Sequence, residues 1–383
     1  MIIFRLTNFA LLPLIIVTLI TQACMAQFLG DVKKVVTIDT LDRSSVYKQV
    51  WQPYIAEWDE DHYVVAYGQK LKGKSDLGNI VTSISMDGGK TWMSPITIFD
   101  HTLPDGRQRY AYANPVLFKP DGQDIIWCFV MRAPLHYPDS EDSKLAAAYS
   151  SDGGLSWKQV ELSVHFGSPL ITNAGIVPVE EDGVTKYLLP VHRNTKRHDP
   201  KGDAEQFVLE STNLLSWHLA GYIPRPDSVW VHEGNIAEGA NPDELKIVMR
   251  TAEYYEWKTA LDVPRAYSSV STDVGKTWTK AKMEPDLWNT ASKGTYEKDS
   301  KGRHIYIYND GPRGERKRLY YKIKEPGKEW SEARLFYWAN NRNSYATLLE
   351  KEPGVFLSVW DSSNQINRKR TVIRFGILNL NEL

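Results

Sequence analysis

The 383-residue sequence predicts an all-β fold, a six-bladed β-propeller, from three observations. A motif Ser-x-Asp-x-Gly-x-Thr/Ser-Trp occurs three times, ending at Trp92, Trp157 and Trp278. Two degraded copies end at Trp217 and Trp330, so that a unit of about 60 residues recurs along the chain. Short β-like runs and turn residues fill the intervals, without a long helical period. One four-stranded unit per repeat predicts six blades, one of them closed by both termini.

The motif itself predicts a structural turn. In "SMDGGKTW", Ser85 to Trp92, the Ser and Asp side chains are suited to cap backbone N–H groups, and Gly supplies a positive φ. Copies on five blades cannot all form one active site, and the acidic ladder of a calcium loop is missing. We therefore expect these turns to lie away from the chemistry.

The N-terminus predicts export. Arg5 is the only charged residue among the first 30, and the apolar run "FALLPLIIVTLITQA" follows it. We predict a signal peptide over residues 1–26, cleaved after Ala26, with lipid attachment at Cys24 as the alternative. Residues 27–383 then form a single propeller catalytic domain that is secreted or periplasmic. No second apolar segment is long enough to span a membrane.

Composition narrows the partners. A net charge of −1 gives no indication of a nucleic-acid partner, whereas 13 Trp and 20 Tyr suit sugar binding as well as core packing. Of the two cysteines, Cys128 lies in the apolar run "IIWCFVM" and is predicted to be a buried free thiol. No Cys/His spacing indicates a metal site. We expect no metal, no cofactor and a monomer.

The repeated octapeptides resemble the Asp-boxes of sialidases, and the blade count is similar to the six-bladed sialidase propeller. The resemblance implies a glycan substrate and a divided active site. Sialidases bind the substrate carboxylate with three arginines, use an Asp as acid/base, and attack with a Tyr that a Glu activates.

Two segments resemble pieces of that site. Tyr345 in "NSYATLLEKEPGVFLSVWD" matches the nucleophile segment, with Ala346 in place of the usual Ser. Glu233 in "WVHEGNIAEGANPDELKIVMR" matches the activating glutamate, and Arg250 closes the same segment on a strand–turn–strand frame. Glu238 is the alternative carboxylate.

Two further residues complete the resemblance. Arg316 in "NDGPRGERKRLYYKI" precedes Tyr345 at the place of the third arginine, with Arg313 and Arg318 as competitors. Asp76 stands shortly before Ser85, in the loop where sialidases carry the acid/base.

One departure concerns the first arginine. In "VWQPYIAEW", Pro53 fits the sialidase Arg-Ile-Pro motif, but Trp51 stands in the arginine position. The missing charge could come from Lys48, Arg107 or Arg109. With Trp51 there, a hexuronic acid or a neutral sugar stacked on the indole becomes conceivable beside sialic acid.

The resemblance therefore implies a retaining exo-glycoside hydrolase that releases a terminal acidic sugar. The first rival is a propeller polysaccharide lyase acting on uronate-containing glycans, for which the candidate acids and bases are Tyr112, His136, His192 and His232. The second rival is a non-catalytic glycan-binding propeller, which the substitution at Trp51 favours.

Overall fold

The computed structural model describes residues 30–42, 46–73, 76–102, 105–107, 110–134, 143–167, 170–172, 174–194, 204–226, 229–239, 241, 243–251, 265–289, 292–310, 316–339, 342–363 and 370–383. The predicted signal peptide and Cys24 lie outside these residues, as do Arg109, His136 and Arg313. Within the described ranges, no helix has the length and apolar character needed to cross a bilayer.

Strands dominate the described chain, as the sequence predicts. The first repeat contains β2 (Tyr47–Asp59), β3 (His62–Leu71), β4 (Gly78–Ser85) and β5 (Ile96–Phe99). The second contains β6 (Tyr110–Phe118), β7 (Ile126–Pro134), β8 (Lys144–Ser150) and β9 (Lys158–Val160). Both belong to one eight-stranded sheet, in which β4 and β6 pair only between Gly78 and Tyr112.

The third repeat has a divided inner strand. It contains β10 (Ser163–His165), β11 (Ile171–Thr172), β12 (Val177–Glu181), β13 (Val184–Asn194), β14 (Ala204–Ser211) and β15 (Ser216–Tyr222). Both β11 and β12 pair with β13, and β10 joins the outer edge parallel to β15. The result is a six-stranded sheet.

The remaining repeats form four-stranded sheets. One contains β16 (Val231–Glu238), β17 (Leu245–Thr251), β18 (Arg265–Ser271) and β19 (Lys282–Trp288), and the next contains β20 (Thr295–Lys298), β21 (His304–Asn309), β22 (Leu319–Lys324) and β23 (Arg334–Tyr337). The last contains β24 (Arg342–Glu352), β25 (Val355–Ser363), β26 (Arg370–Asn379) and the first strand of the chain, β1 (Lys33–Asp42), in the order β1-β26-β25-β24. A short 3-10 helix, Leu380–Glu382, follows β26. The expectation that both termini close one blade is confirmed.

The propeller is confirmed, but its hydrogen bonding corrects the blade count in one respect. The described strands form five hydrogen-bonded sheets instead of six separate ones, because the Gly78–Tyr112 pair merges the first two repeats. Gly78 also packs tightly against β3 of its own repeat, where an added Cβ would lie 1.8 Å from the Gln69 carbonyl oxygen.

The apolar core lies between neighbouring sheets. One cluster joins the first and last repeats through Val65, Tyr67, Val359 and Phe375, all at most 1% exposed. Cys128 is fully buried, and burial raises the pKa of its thiol, so the predicted buried free thiol is confirmed.

The Asp-box turns have the predicted structural role. In the first copy, Ser85 Oγ accepts a hydrogen bond of 2.8 Å from Gly89 N, and Asp87 accepts one of 2.9 Å from Thr91 N. The Trp92 indole N–H donates to Gly89 O over 3.2 Å. The same bonds recur around Asp152 and Asp273. In the degraded copy Asn213 replaces the carboxylate.

These turns sit at one end of the strands and Asp76 at the other. Gly88 N donates to Asp61 O, in the turn between β2 and β3, over 2.9 Å. Asp76 lies between β3 and β4, at the opposite ends of those strands. The first Asp-box is therefore on the face of the propeller away from Asp76.

A glycine pair tests how the motif packs. Gly89 has φ +83°, and an added Cβ would lie 2.3 Å from the Phe375 ring. Gly327, at the same position of the degraded copy, has φ +71° and nothing within 4 Å. We expect Gly89→Ala to lower the free energy of unfolding by about 2–4 kcal/mol and Gly327→Ala by about 1 kcal/mol. Urea unfolding measures both, and equal losses would contradict the packing role.

Candidate active site

Four inner strands of the propeller each contain a bulge at which one residue has a left-handed backbone conformation. Gln52, Asn114, Glu233 and Tyr345 have φ between 52° and 56°, and each sits where the register of β2, β6, β16 or β24 shifts. Such a conformation costs a non-glycine residue about 1–2 kcal/mol and re-aims its side chain. Backbone strain of this kind motivates a functional hypothesis. Two of the predicted catalytic residues, Glu233 and Tyr345, occupy this position.

Tyr345 lies between an indole and a guanidinium. Its ring packs edge-to-face on Trp51, with ring centroids 5.7 Å apart, and Arg316 Cζ lies 5.0 Å from the ring centroid. Trp51 and Tyr345 are each 5% exposed. The structure thus brings together three predicted site residues from three segments of the chain.

A glycine on the neighbouring strand packs closely against the Trp51 indole. An added Cβ at Gly68, on the neighbouring β3, would lie 3.1 Å from the indole. The close approach of β3 holds the Trp51 ring against Tyr345 and leaves little of its face to solvent.

Asp361 braces this pair from behind. Its carboxylate accepts hydrogen bonds from Gln52 N over 3.1 Å and from Ser344 Oγ over 2.7 Å, next to Trp51 and Tyr345 in the chain. Burial raises the pKa of Asp361, while Arg342 and Arg316 oppose that rise. Sequence reasoning missed Asp361, because its partners belong to β24 and to the distant β2.

Glu233 and Arg250 form a buried ion pair. Arg250 Nη1 lies 2.6 Å from Glu233 Oε2, and their side chains are 15% and 9% exposed. Burial by itself would raise the pKa of Glu233, but Arg250, His232 and His192 outweigh it and lower the pKa to about 2. Glu233 is thus a carboxylate throughout the physiological range.

The alternative carboxylate lies elsewhere. Glu238, at the end of β16, has a side chain that is 75% exposed and pairs with Lys298 over 3.0 Å. Glu233 is the member of the two that faces Arg250.

Asp76 is held by a lysine that sequence reasoning missed. Lys70 Nζ lies 2.7 Å from Asp76 Oδ1 and 4.7 Å from the centroid of the Trp51 ring. Asp76 itself has φ 63°. Lys70 could have been noticed as a cation inside the apolar run "HYVVAYGQKL", whose residues are otherwise suited to a core strand.

The other arginines and lysines that the sequence offered as site residues have different partners. Arg318 pairs with Asp310 over 3.1 Å, and Arg107 pairs with Asp105 in an exposed turn. Lys48 lies on β2, ahead of Trp51. Among the described candidates for the third arginine, Arg316 is the one against Tyr345.

A second buried lysine lies just before β20, in the repeat between those of Glu233 and Tyr345. Lys293 precedes Gly294, whose carbonyl accepts a hydrogen bond of 3.0 Å from Asn235 Nδ2, while Thr295 Oγ1 donates to Ala346 O. Burial lowers the pKa of Lys293 to about 8, opposed by Glu233, Glu297 and Asp361. Its separation from Glu233 along the chain, close to the repeat length, was the signal that could have identified it.

Two of the described candidates for a lyase, His192 and His232, lie together. Tyr112 packs on Phe99 with ring centroids 4.9 Å apart, and burial raises its pKa. His192 and His232 lie with ring centroids 5.4 Å apart beside Glu233. Across the described ranges, no group of three or more His, Cys, Asp or Glu side chains could hold a metal ion.

His192 makes stability depend on pH. Burial lowers its pKa from 6.5 to about 4, with Glu233 opposing the shift and Arg250 adding to it. Between these values the unfolded chain binds a proton that the folded chain does not, so acidification destabilises the fold. We expect a loss on the order of 3 kcal/mol by pH 4 from this group.

The matched variants are His192→Gln and, as control, the exposed His218→Gln. Urea unfolding between pH 7 and pH 4 should give a shallower decline for His192→Gln than for the wild type and the control. Parallel declines in all three proteins would contradict this assignment.

Comparison with known proteins identifies the family and the fold of the chain. A family model described as a BNR repeat-like domain matches residues 60–357. No curated protein matches the sequence. Among solved structures, a protein of unknown function from Dyadobacter fermentans has a TM-score of 0.65 at 17% identity, covering 91% of this chain and 99% of that one.

Two enzymes have the same fold, with similar TM-scores and similarly low sequence identity. The NanB sialidase of Streptococcus pneumoniae has a TM-score of 0.65 at 13% identity, covering 91% of this chain and 71% of that one. The intramolecular trans-sialidase of Ruminococcus gnavus has a TM-score of 0.65 at 15% identity, covering 90% and 97%. Likeness at this identity shows the fold, a propeller of the sialidase type. With the family match extending over most of its length, the chain belongs to the BNR repeat-like family.

Proposed function

We propose that this protein is a sialidase-like retaining exo-glycosidase that releases a terminal acidic sugar from glycans. The observation that carries the proposal is the contact of Trp51 and Arg316 with the Tyr345 ring. Glu233, paired with Arg250 of β17, occupies the corresponding left-handed bulge of the inner strand β16. The sialidase fold of the structural neighbours supports the same class of reaction.

The first step would be attack by Tyr345. The phenolic oxygen bonds to the anomeric carbon, the glycosidic C–O bond breaks, and Asp76 protonates the departing oxygen. A neutral phenol avoids the repulsion that a carboxylate nucleophile would meet at a sugar bearing its own carboxylate. In the second step water attacks the anomeric carbon and Asp76 accepts a proton from it. The bond from that carbon to the Tyr345 oxygen breaks as Glu233 returns the proton to the phenol, and the anomeric configuration is retained.

Glu233 would take the phenolic proton only as the new bond forms. A carboxyl with a pKa of about 2 holds a proton weakly, so a separate transfer before attack would be strongly unfavourable. Arg316, 5.0 Å from the ring, favours negative charge on the phenol as it develops. Arg250 and Arg316 are also the proposed ligands of the substrate carboxylate, through charge-assisted bonds.

Export is part of the proposal. Residues 1–26 would be removed as a signal peptide and residues 27–383 would act as one monomeric catalytic domain, secreted or periplasmic, with lipid attachment at Cys24 as the alternative. The mass of the N-terminal peptide from exported protein distinguishes cleavage after Ala26 from a lipid-modified Cys24.

The non-catalytic rival has one supporting observation, the buried Trp51 where sialidases have an arginine. A screen on methylumbelliferyl sialoside, glucuronide and rhamnoside separates the readings. Turnover of the sialoside or glucuronide supports an acidic-sugar hydrolase, whereas binding without turnover supports the rival. Ultraviolet-absorbing unsaturated uronates would indicate a lyase.

Tyr345→Phe tests the nucleophile. We expect turnover to fall by at least about 100-fold, because the nucleophilic oxygen is lost, with the fold intact because the ring keeps its contacts with Trp51 and Arg316. The matched control is Tyr320→Phe, whose ring lies 5.5 Å from Arg318. Initial rates and circular dichroism measure both, and undiminished rates in Tyr345→Phe would disprove the assignment.

A further inference from the structure

A cation stands beside the position where the sialidase arginine is missing. Lys70 Nζ lies over the Trp51 ring at 4.7 Å and donates to Asp76 Oδ1 over 2.7 Å. Trp51 in turn contacts the Tyr345 ring. The ammonium therefore lies on a continuous line of contacts from the proposed acid/base to the proposed nucleophile.

Lys70 is nearly buried beside a more exposed carboxylate. Its side chain is 10% exposed and Asp76 is 37% exposed, so the pair opens to solvent on the Asp76 side. An ammonium has three N–H donors, and Asp76 accepts a hydrogen bond from one of them. The face of the Trp51 ring stabilises the positive charge without accepting a conventional hydrogen bond. Lys70 thus has donors left for a second anion that arrives beside Asp76.

We propose that Lys70 binds the carboxylate of the substrate in place of the absent arginine, and so makes this site selective for acidic sugars. The inference rests on the proposed function for its placement of the anomeric carbon between Asp76 and Tyr345. A carboxylate on or near that carbon would then lie beside Lys70.

The residue type has a consequence for selectivity. Arginine presents a planar fork that fixes a carboxylate in two bonds, whereas an ammonium acts as a point charge with rotatable donors. Lys70 therefore favours a negatively charged group on the substrate but constrains the orientation of that group less than an arginine would. Both a 2-keto sugar acid and a hexuronic acid offer that charge, and the experiment separates them.

The experiment measures binding by calorimetry, independently of turnover. The probes are the methyl glycosides of sialic acid and of glucuronic acid, each compared with its methyl ester. For at least one sugar, the wild type should bind the acid more tightly than the ester by about tenfold or more. Lys70→Met should reduce that ratio by about tenfold, and Lys70→Arg should restore most of it.

Two controls isolate the charge of Lys70. Lys351 also pairs with a carboxylate, that of Glu57, and lies 5.7 Å from the Tyr63 ring, but at the Asp-box end of β2. Lys351→Met should leave the ratio unchanged. Asp76→Asn, alone and combined with Lys70→Met, shows whether an unpaired Asp76 causes the loss; the double variant should behave as Lys70→Met does.

The outcomes separate this inference from the proposed function. Turnover of an acidic sugar with an unchanged ratio in Lys70→Met would overturn the role of Lys70 and leave the hydrolase standing. A ratio that falls in Lys70→Met without turnover of any glycoside would support Lys70 and count against the hydrolase. No preference for acid over ester in the wild type would overturn the role of Lys70.

Discussion

The buried carboxylate of Asp361 is the contact on which the candidate site depends. It bonds the backbone N–H of Gln52 and the hydroxyl of Ser344, and so joins the first inner strand of the propeller to the last. The first bond satisfies the backbone N–H of a left-handed bulge residue, where the strand hydrogen bonding is interrupted, and the second lies next to the left-handed bulge at Tyr345. Without that acceptor, the strained turns that aim Trp51 and Tyr345 at each other would lose their support.

Paired charges organise the rest of the site. Arg250 holds Glu233, Lys70 holds Asp76, and Arg316 lies over Tyr345, so each proposed catalytic group has a cation against it. Removing one member of a buried pair leaves an uncompensated charge, which costs several kcal/mol. The site is therefore held in a defined arrangement in the free protein, which suits a reaction that depends on the placement of charge.

Much of the fold was predictable because it depends on short sequence patterns. The Ser-x-Asp-x-Gly-x-Thr-Trp turns need only residues close to one another in the chain, and their hydrogen bonds form as expected around Asp87, Asp152 and Asp273. The merger of the first two repeats was not predictable, since it depends on the approach of Gly78 in one repeat to Tyr112 in the next. For the site, resemblance to a family identified Tyr345, Glu233 and Asp76 as candidates, but their partners Lys70 and Asp361 came only from the structure.

The sequence by itself determined the strand-rich repeat, the turn chemistry and the burial of Cys128, because each depends on residue type and short-range spacing. Only the tertiary structure decided that Trp51 packs on Tyr345, that Arg316 reaches Tyr345 while Arg318 pairs with Asp310, and that Lys70 lies over Trp51. Most of those contacts join segments that are far apart in the chain. Closing the propeller brings distant inner strands together, and no local pattern records which side chains then meet.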